Sequence, residues 1–375
     1  VSDLRVEGDI LTPQGFIRGV LEHRDGRIRR IEGVPQSEDQ ARSGAQTLVL
    51  PGFIDSHVHG GGGSDVMEGG GAIDRIARLH ARHGTTSLLA TTMTAPLPEV
   101  QAALRALAPA CASRAASTAR VLGVHLEGPY INPGKLGAQP DFARSAAIGE
   151  IHELHALAPI RLITLAPELP GNLDIIVELR AAGFQIQIGH TLGSYEDGVA
   201  ALERGAGGFT HLFNAMSGMH HRAPGMVGAA LAHARYAEII PDLLHVHPGA
   251  IHAALRAIPG LFCVTDSTAA SGMPDGEYRL GRHRVTKCLG GVRLADGTLA
   301  GSTLTMDQAL RNLVTIGIGL EEASRRVSTY AAEYLGLRDC GRLAEGARAD
   351  LVLLDRELRL QRVFVEGEEI DLTNA

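Results

Sequence analysis

Phe53-Ile54-Asp55-Ser56-His57-Val58-His59 is an apolar run that ends in two imidazoles one residue apart. Four later runs end in a similar way: Val121 to Glu127, Ile186 to His190, Gly208 to His211, and Leu261 to Asp266. Short apolar runs read as buried parallel strands, and the chain reaches the surface where such a strand stops. Together they deliver His57, His59, Glu127, His190, His211 and Asp266. This predicts one polar cluster at one end of a barrel, where active sites of TIM barrels lie.

Working outward, helical spacing alternates with apolar strands, the pattern of βα units. Helices are expected over 72–83, 97–112, 148–157, 173–182, 195–204 and 248–257, and near 305–317 and 320–334. Strands are expected at 86–92, 160–165 and 237–240. His190 and His211 stand one βα repeat apart, so they should occupy adjacent strands. Residues 277–300 read as a β excursion. Residues 3–33 and 349–371 alternate apolar and polar around turn signals, so the two ends should pair. The expected architecture is α/β: a (β/α)8 TIM barrel over 51–339 and a small β-sandwich domain from 1–50 plus 340–375.

The 375 residues, 45% of them apolar, suffice for a large core and a second small domain. A net charge of -7 without a basic stripe disfavours nucleic acid and anionic membrane as partners. No charged leader or membrane-length apolar window is evident, and the four cysteines include no CxxC pair. These features fit a cytoplasmic protein with reduced thiols.

On a strand, alternate residues share a face, so His57 and His59 can both point into the barrel mouth. The following Gly60-Gly61-Gly62-Gly63 is expected to clear side chains from a substrate's approach. His-x-His alone is a weak signal, and a strand-end Glu or His is often merely structural. Taken together, Glu127, His190 and His211 with an open position make a catalytic zinc set. Asp266 reads either as a buried acceptor or as a general base.

Pro51-Gly52-Phe53-Ile54-Asp55-Ser56-His57-Val58-His59-Gly60 resembles the first-strand signature of the amidohydrolase superfamily. His125-Leu126-Glu127-Gly128-Pro129, Gly189-His190-Thr191, His211 to Met216 and Val264-Thr265-Asp266 resemble its N-acetylglucosamine-6-phosphate deacetylase branch. Many superfamily members bridge two metals with a carbamylated lysine. Here Glu127 takes that place, and neither Lys135 nor Lys287 follows a suitable strand.

The resemblance implies one ion on Glu127, His190 and His211. A second is implied where His57 and His59 are kept, with Asp266 touching it. Zinc is the first choice, with Fe2+ or Mn2+ as alternatives. It implies Asp266 as the general base that later returns its proton to the amine. It further implies substrate contacts from Ala138, Asn214, Ala215, His245 and the Leu299-Ala300-Gly301 loop. Arg222 would bind phosphate, reaching into the neighbouring subunit of a homodimer.

Family members commonly read Gly-Ala-His and Asp-Gly-x-His where this chain has Gly137-Ala138-Gln139 and Asp242-Leu243-Leu244-His245. The implied reaction is deacetylation of N-acetylglucosamine 6-phosphate. The galacto epimer or another N-acyl substrate is the alternative within the superfamily, a cyclic amidase a third reading. An inactive metal-binding barrel is the alternative of another class.

Overall fold

The computed structural model describes residues 4–373. Eight parallel strands, β1 Phe53–Val58, β2 Thr85–Thr92, β3 Arg120–Glu127, β4 Ile160–Leu165, β5 Gln185–Ile188, β6 Gly208–Phe209, β7 Tyr236–Ile239 and β8 Gly260–Cys263, make the barrel. The first six form one sheet in chain order, and β7 pairs with β8. Two seams close the ring. Leu212 N–H donates to Glu238 O at 2.8 Å beyond β6, while Asp266 N–H donates to His57 O at 2.9 Å beyond β8.

The strands are buried on both faces, as parallel barrel strands require; every residue of β1 and β2 is buried. Helices sheath them with one apolar stripe each. Helix Ala72–Arg82 buries Ala72, Ile73, Ile76, Ala77, His80 and Ala81 and leaves its arginines outward. The expected excursion is a three-stranded antiparallel sheet over Gly276–Leu280, His283–Cys288 and Gly291–Arg293.

Strands from both chain ends form one seven-stranded sheet. Leu48–Pro51 lies in its middle, parallel to Leu4–Thr12 on one side and antiparallel to Leu351–Leu354 on the other. It runs directly into β1, so the small sheet anchors the strand that carries the His-x-His pair.

Two sequence expectations need revision, and one element is new. The helix expected over 320–334 breaks at Ser328 into Leu320–Val327 and Thr329–Tyr334. There the Ser328 hydroxyl donates to Ser324 O at 2.6 Å, and such back-bonding bends helices. A helix at Glu38–Ser43 was not anticipated, although Ser37 and Gln40 form a capping box legible as Ser-x-x-Gln. The glycines after His59 do not clear a path for substrate. A Cβ on Gly60 would lie 2.5 Å from Ala269 N, and Gly62 and Gly63 donate to Ser271 O and Ala269 O. They let this loop lie against the segment that follows Asp266.

All four cysteines are free. Among the described residues no helix is long and apolar enough to cross a membrane.

Candidate metal centre and active site

At the C-terminal ends of the barrel strands, Glu127 is the hub. Its Oε1 lies 3.2 Å from His190 Nε2 and 3.1 Å from His211 Nε2, and those two nitrogens are 3.2 Å apart. Its Oε2 lies 3.1 Å from His59 Nε2, and His57 Nε2 is 3.2 Å from His59 Nε2. Asp266 Oδ1 closes this second group at 3.3 Å from His59 and 3.5 Å from His57. All six anticipated residues therefore converge.

The backbone reaches this arrangement through left-handed turns. β5 and β6 stop two residues short of His190 and His211, and β8 stops three short of Asp266. The three residues have φ of 48°, 30° and 50°, and Phe213 and Ala215 have 80° and 51°. Non-glycine residues held at positive φ cost roughly 1–3 kcal/mol each and cluster where function over-determines the backbone. Leu243, in the position where family members carry glycine, has φ 64°.

The imidazoles are preset as ligands. His59 and His190 place Nδ1 against the carbonyls of Thr91 (3.2 Å) and Lys135 (2.8 Å), which can only accept. His57 Nδ1 faces the Glu238 carboxylate at 3.1 Å. Each of these Nδ1 atoms thus carries a proton and each Nε2 turns inward, the outer-shell device that orients metal-bound histidines. The Nε2 atoms of His57 and His59, and those of His190 and His211, face one another at 3.2 Å, as two ligands of one cation would. Ligand atoms around a tetrahedral ion with bonds of about 2.0–2.1 Å are spaced by roughly 3.3 Å. The residues fit a metal on both faces of Glu127.

Two buried carboxylates set the charge of the site. Burial disfavours a charged His57, but the Glu127 and Asp266 carboxylates outweigh it and hold its pKa well above the imidazole range. Burial likewise opposes charge on His59, and the same carboxylates carry it up to about 9. Glu127 and Asp266 are buried, which would raise them, yet the surrounding imidazoles draw both down. Two buried carboxylates among these imidazoles thus make the centre favour positive charge, as protons or as a metal cation. His125, beneath it, is different: burial and the neighbouring His57 lower it to about 3, so it stays neutral and hydrogen-bonds Thr164 at 2.7 Å.

The cluster opens into a cavity of about 370 Å³. Ala138, Asn214, Ala215, His245, Leu299 and Gly301 line it as anticipated, together with Asp266. Ala300 does not: it is fully buried against a small apolar cluster with Met93 and Leu280. Arg222 lies on an exposed stretch outside the cavity, hydrogen-bonded to His221 at 2.7 Å. His245 Nδ1 bonds Asp242 at 2.6 Å. Although burial lowers it, that carboxylate leaves its pKa raised.

Sequence reasoning missed three residues. Glu238 is a carboxylate in the middle of an apolar strand, a signal in itself. Gln139 donates to Glu127. Lys135 is the lysine or arginine among the cavity's lining residues.

The sequence model of the amidohydrolase family matches residues 48–370. The chain belongs to the amidohydrolase family. It is a hydrolase of amide bonds with a metal-dependent centre of the kind that family uses. Among its relatives is the N-acetylgalactosamine-6-phosphate deacetylase of Escherichia coli O157:H7, 40% identical over 96% of this chain and 97% of that one. The N-acetylglucosamine-6-phosphate deacetylase of Lysinibacillus sphaericus is 39% identical over 92% and 91%. Among solved structures, an aspartate-to-alanine mutant of the Mycobacterium smegmatis N-acetyl-D-glucosamine-6-phosphate deacetylase, in complex with N-acetyl-D-glucosamine-6-phosphate, superposes with a TM-score of 0.91. It is 33% identical and covers 99% of this chain and all (100%) of that one. This amidohydrolase therefore shares between 92% and 99% of its length with those deacetylases.

Proposed function

We propose that this amidohydrolase removes the acetyl group from N-acetyl-D-glucosamine 6-phosphate, releasing D-glucosamine 6-phosphate and acetate. The observation that carries the proposal is Asp266: a carboxylate on the cavity wall, 3.3 Å from the metal-presenting nitrogen of His59. It is placed to serve both half-reactions.

Glu127, His190 and His211 would hold one divalent ion, and His57, His59 and Asp266 with Glu127 a second. We take zinc as the first candidate, with Fe2+ and Mn2+ as alternatives. A bound ion supplies Lewis acidity and a water nucleophilic near neutral pH. Asp266 accepts the proton of the attacking water and returns it to the amine, which leaves only when protonated. His245, its Nδ1 held by Asp242, turns its remaining nitrogen to the substrate. Asn214 spends its Nδ2 on His211 O and Leu212 O, which leaves Oδ1 for a sugar hydroxyl. Backbone groups at Ala138, Ala215, Leu299 and Gly301 complete the sugar site.

Phosphate needs a cation. Lys135 lies at the cavity, and we assign the bidentate contact to Arg222 of a second copy in a homodimer, since Arg222 does not line the cavity of its own chain. The division into a β domain (1–50 plus 340–375) and a catalytic barrel (51–339), and a cytoplasmic site of action, belong to the same reading.

The test is acetate release by purified protein of measured metal content. N-acetylglucosamine 6-phosphate, its galacto epimer and the unphosphorylated sugar are compared. Preference for the first supports the proposal. The 40% identity to a galactosamine-phosphate deacetylase makes the second epimer the competing outcome. Equal turnover of the unphosphorylated sugar rejects the phosphate reading, and no release from any of the three rejects the activity.

A further inference from the structure

The loop after β3 does more than border the cavity. Asn132 N–H donates to His190 O at 2.9 Å, and the carbonyl of Lys135 receives the His190 ring proton at 2.8 Å. Four residues on, the buried amide of Gln139 faces two ways. Its Oε1 accepts Thr94 N–H at 2.7 Å, and its Nε2 donates to Glu127 Oε2 at 2.6 Å. A backbone N–H can only donate, so the Thr94 contact fixes which end of the amide is oxygen. The end that meets Glu127 must be the NH2 group.

We propose that Gln139 is a positioning residue for the metal centre. It holds the Glu127 carboxylate in the plane that directs Oε1 at His190 and His211 while Oε2 remains turned to His59. A free carboxylate on a glutamate stem rotates readily about its last bond. With one oxygen tied to an amide that is itself tied to the β2 exit, Glu127 has one orientation. Hydrogen bonds to ligating carboxylates are usually worth 10–100-fold in metal affinity. One loop thus fixes two ligands from two strands, through Lys135 and Gln139. Ala138, between them, lines the cavity. The chain's departure from the family's Gly-Ala-His accordingly keeps a donor in place of the imidazole.

The proposal rests on the metal-centre reading, and its test needs no substrate. Co2+ and Zn2+ affinities are measured by chelator competition for the parent, Gln139→Met and Gln139→His. Methionine keeps the length but has no donor. Histidine can present a ring N–H to Glu127 while its other nitrogen accepts from Thr94. The expected result is a 10–100-fold loss in Gln139→Met and an affinity within about threefold of the parent in Gln139→His. An unchanged Gln139→Met, or an equal loss in both, overturns the assignment. If Gln139→Met does not fold, Gln139→His decides: retained affinity supports the role, and a tenfold loss refutes it. A parent that binds no divalent ion overturns the metal centre as well, whereas unaltered binding in Gln139→Met overturns this role alone.

Discussion

Glu238 Oε2 receives the ring proton of His57 at 3.1 Å, across a gap of 181 residues in sequence. The same carboxylate accepts the Ser56 hydroxyl at 2.8 Å, and it is completely buried. It ties β7 to β1 at the point where the second ion would sit. Burial alone would raise its pKa, but its bonds to His57 and Ser56 and the nearby His57 and His125 rings leave it lowered. It remains an anion.

Replacing Glu238 with Gln should therefore lower affinity at the His57–His59 site by roughly 10–100-fold. The Glu127–His190–His211 site should change little, as only its backbone is touched by Glu238. Metal titration followed by elemental analysis separates the two. Loss of both ions together would mean that Glu238 shapes the whole barrel end instead.

Asp266→Asn keeps the shape and removes the base. We expect kcat to fall about a hundredfold to ten-thousandfold, the usual worth of a positioned acid–base group. KM and occupancy of the Glu127–His190–His211 site should stay near those of the parent. Turnover at the parental rate in this variant would exclude Asp266 from proton transfer.

Arg222→Ala tests the subunit-crossing phosphate contact. Losing a charge-assisted hydrogen bond costs about 1.5–3 kcal/mol, so KM for the phosphorylated sugar should rise roughly tenfold or more. Mixed dimers of Arg222→Ala and Asp266→Asn should recover part of the lost activity, since one of their sites has both residues intact. Without recovery, Arg222 does not act across subunits.

His80 gives a pH signature. It is fully buried and its Nε2 bonds Gly60 O and Ser267 Oγ, both at 3.1 Å. Burial, helped by His83, lowers its pKa to about 4. Between that value and the ordinary 6.5, the unfolded chain binds a proton that the folded chain refuses. Stability is therefore unaffected above pH 6.5 and falls as pH drops towards 4, by up to about 3 kcal/mol. Thermal unfolding across this window should be less acid-sensitive in His80→Gln than in the parent. Parallel curves would mean that His80 titrates alike in the folded and unfolded chain.

Residues that carry the chemistry were legible where the signal was local. Glu127 ends a run of apolar residues, and His57 and His59 share one strand face, so each announces itself within seven positions. His190, His211 and Asp266 were legible as ligands but not as left-handed residues, because nothing in a single residue's identity states φ. Glu238 and Gln139 act through partners that sequence cannot bring near. Ala300 was carried along with its loop, although its side chain turns into the small apolar cluster and not the cavity. Ser328 interrupts a helix whose spacing runs on unbroken, because a hydroxyl bond to the preceding turn leaves no trace in the apolar pattern.

The seam in the small sheet sets the order of events at the ribosome. Leu48–Pro51, entirely apolar, is made well before its antiparallel neighbour Leu351–Leu354. Until then one flank of that strand has no backbone partner, and the lead into the histidine-bearing β1 is only half held. Vectorial synthesis thus makes every ligand of the centre before the strand that locks the entrance to the barrel. A nascent polypeptide stalled before residue 351 carries every ligand of the centre yet lacks the strand that fastens the first of them.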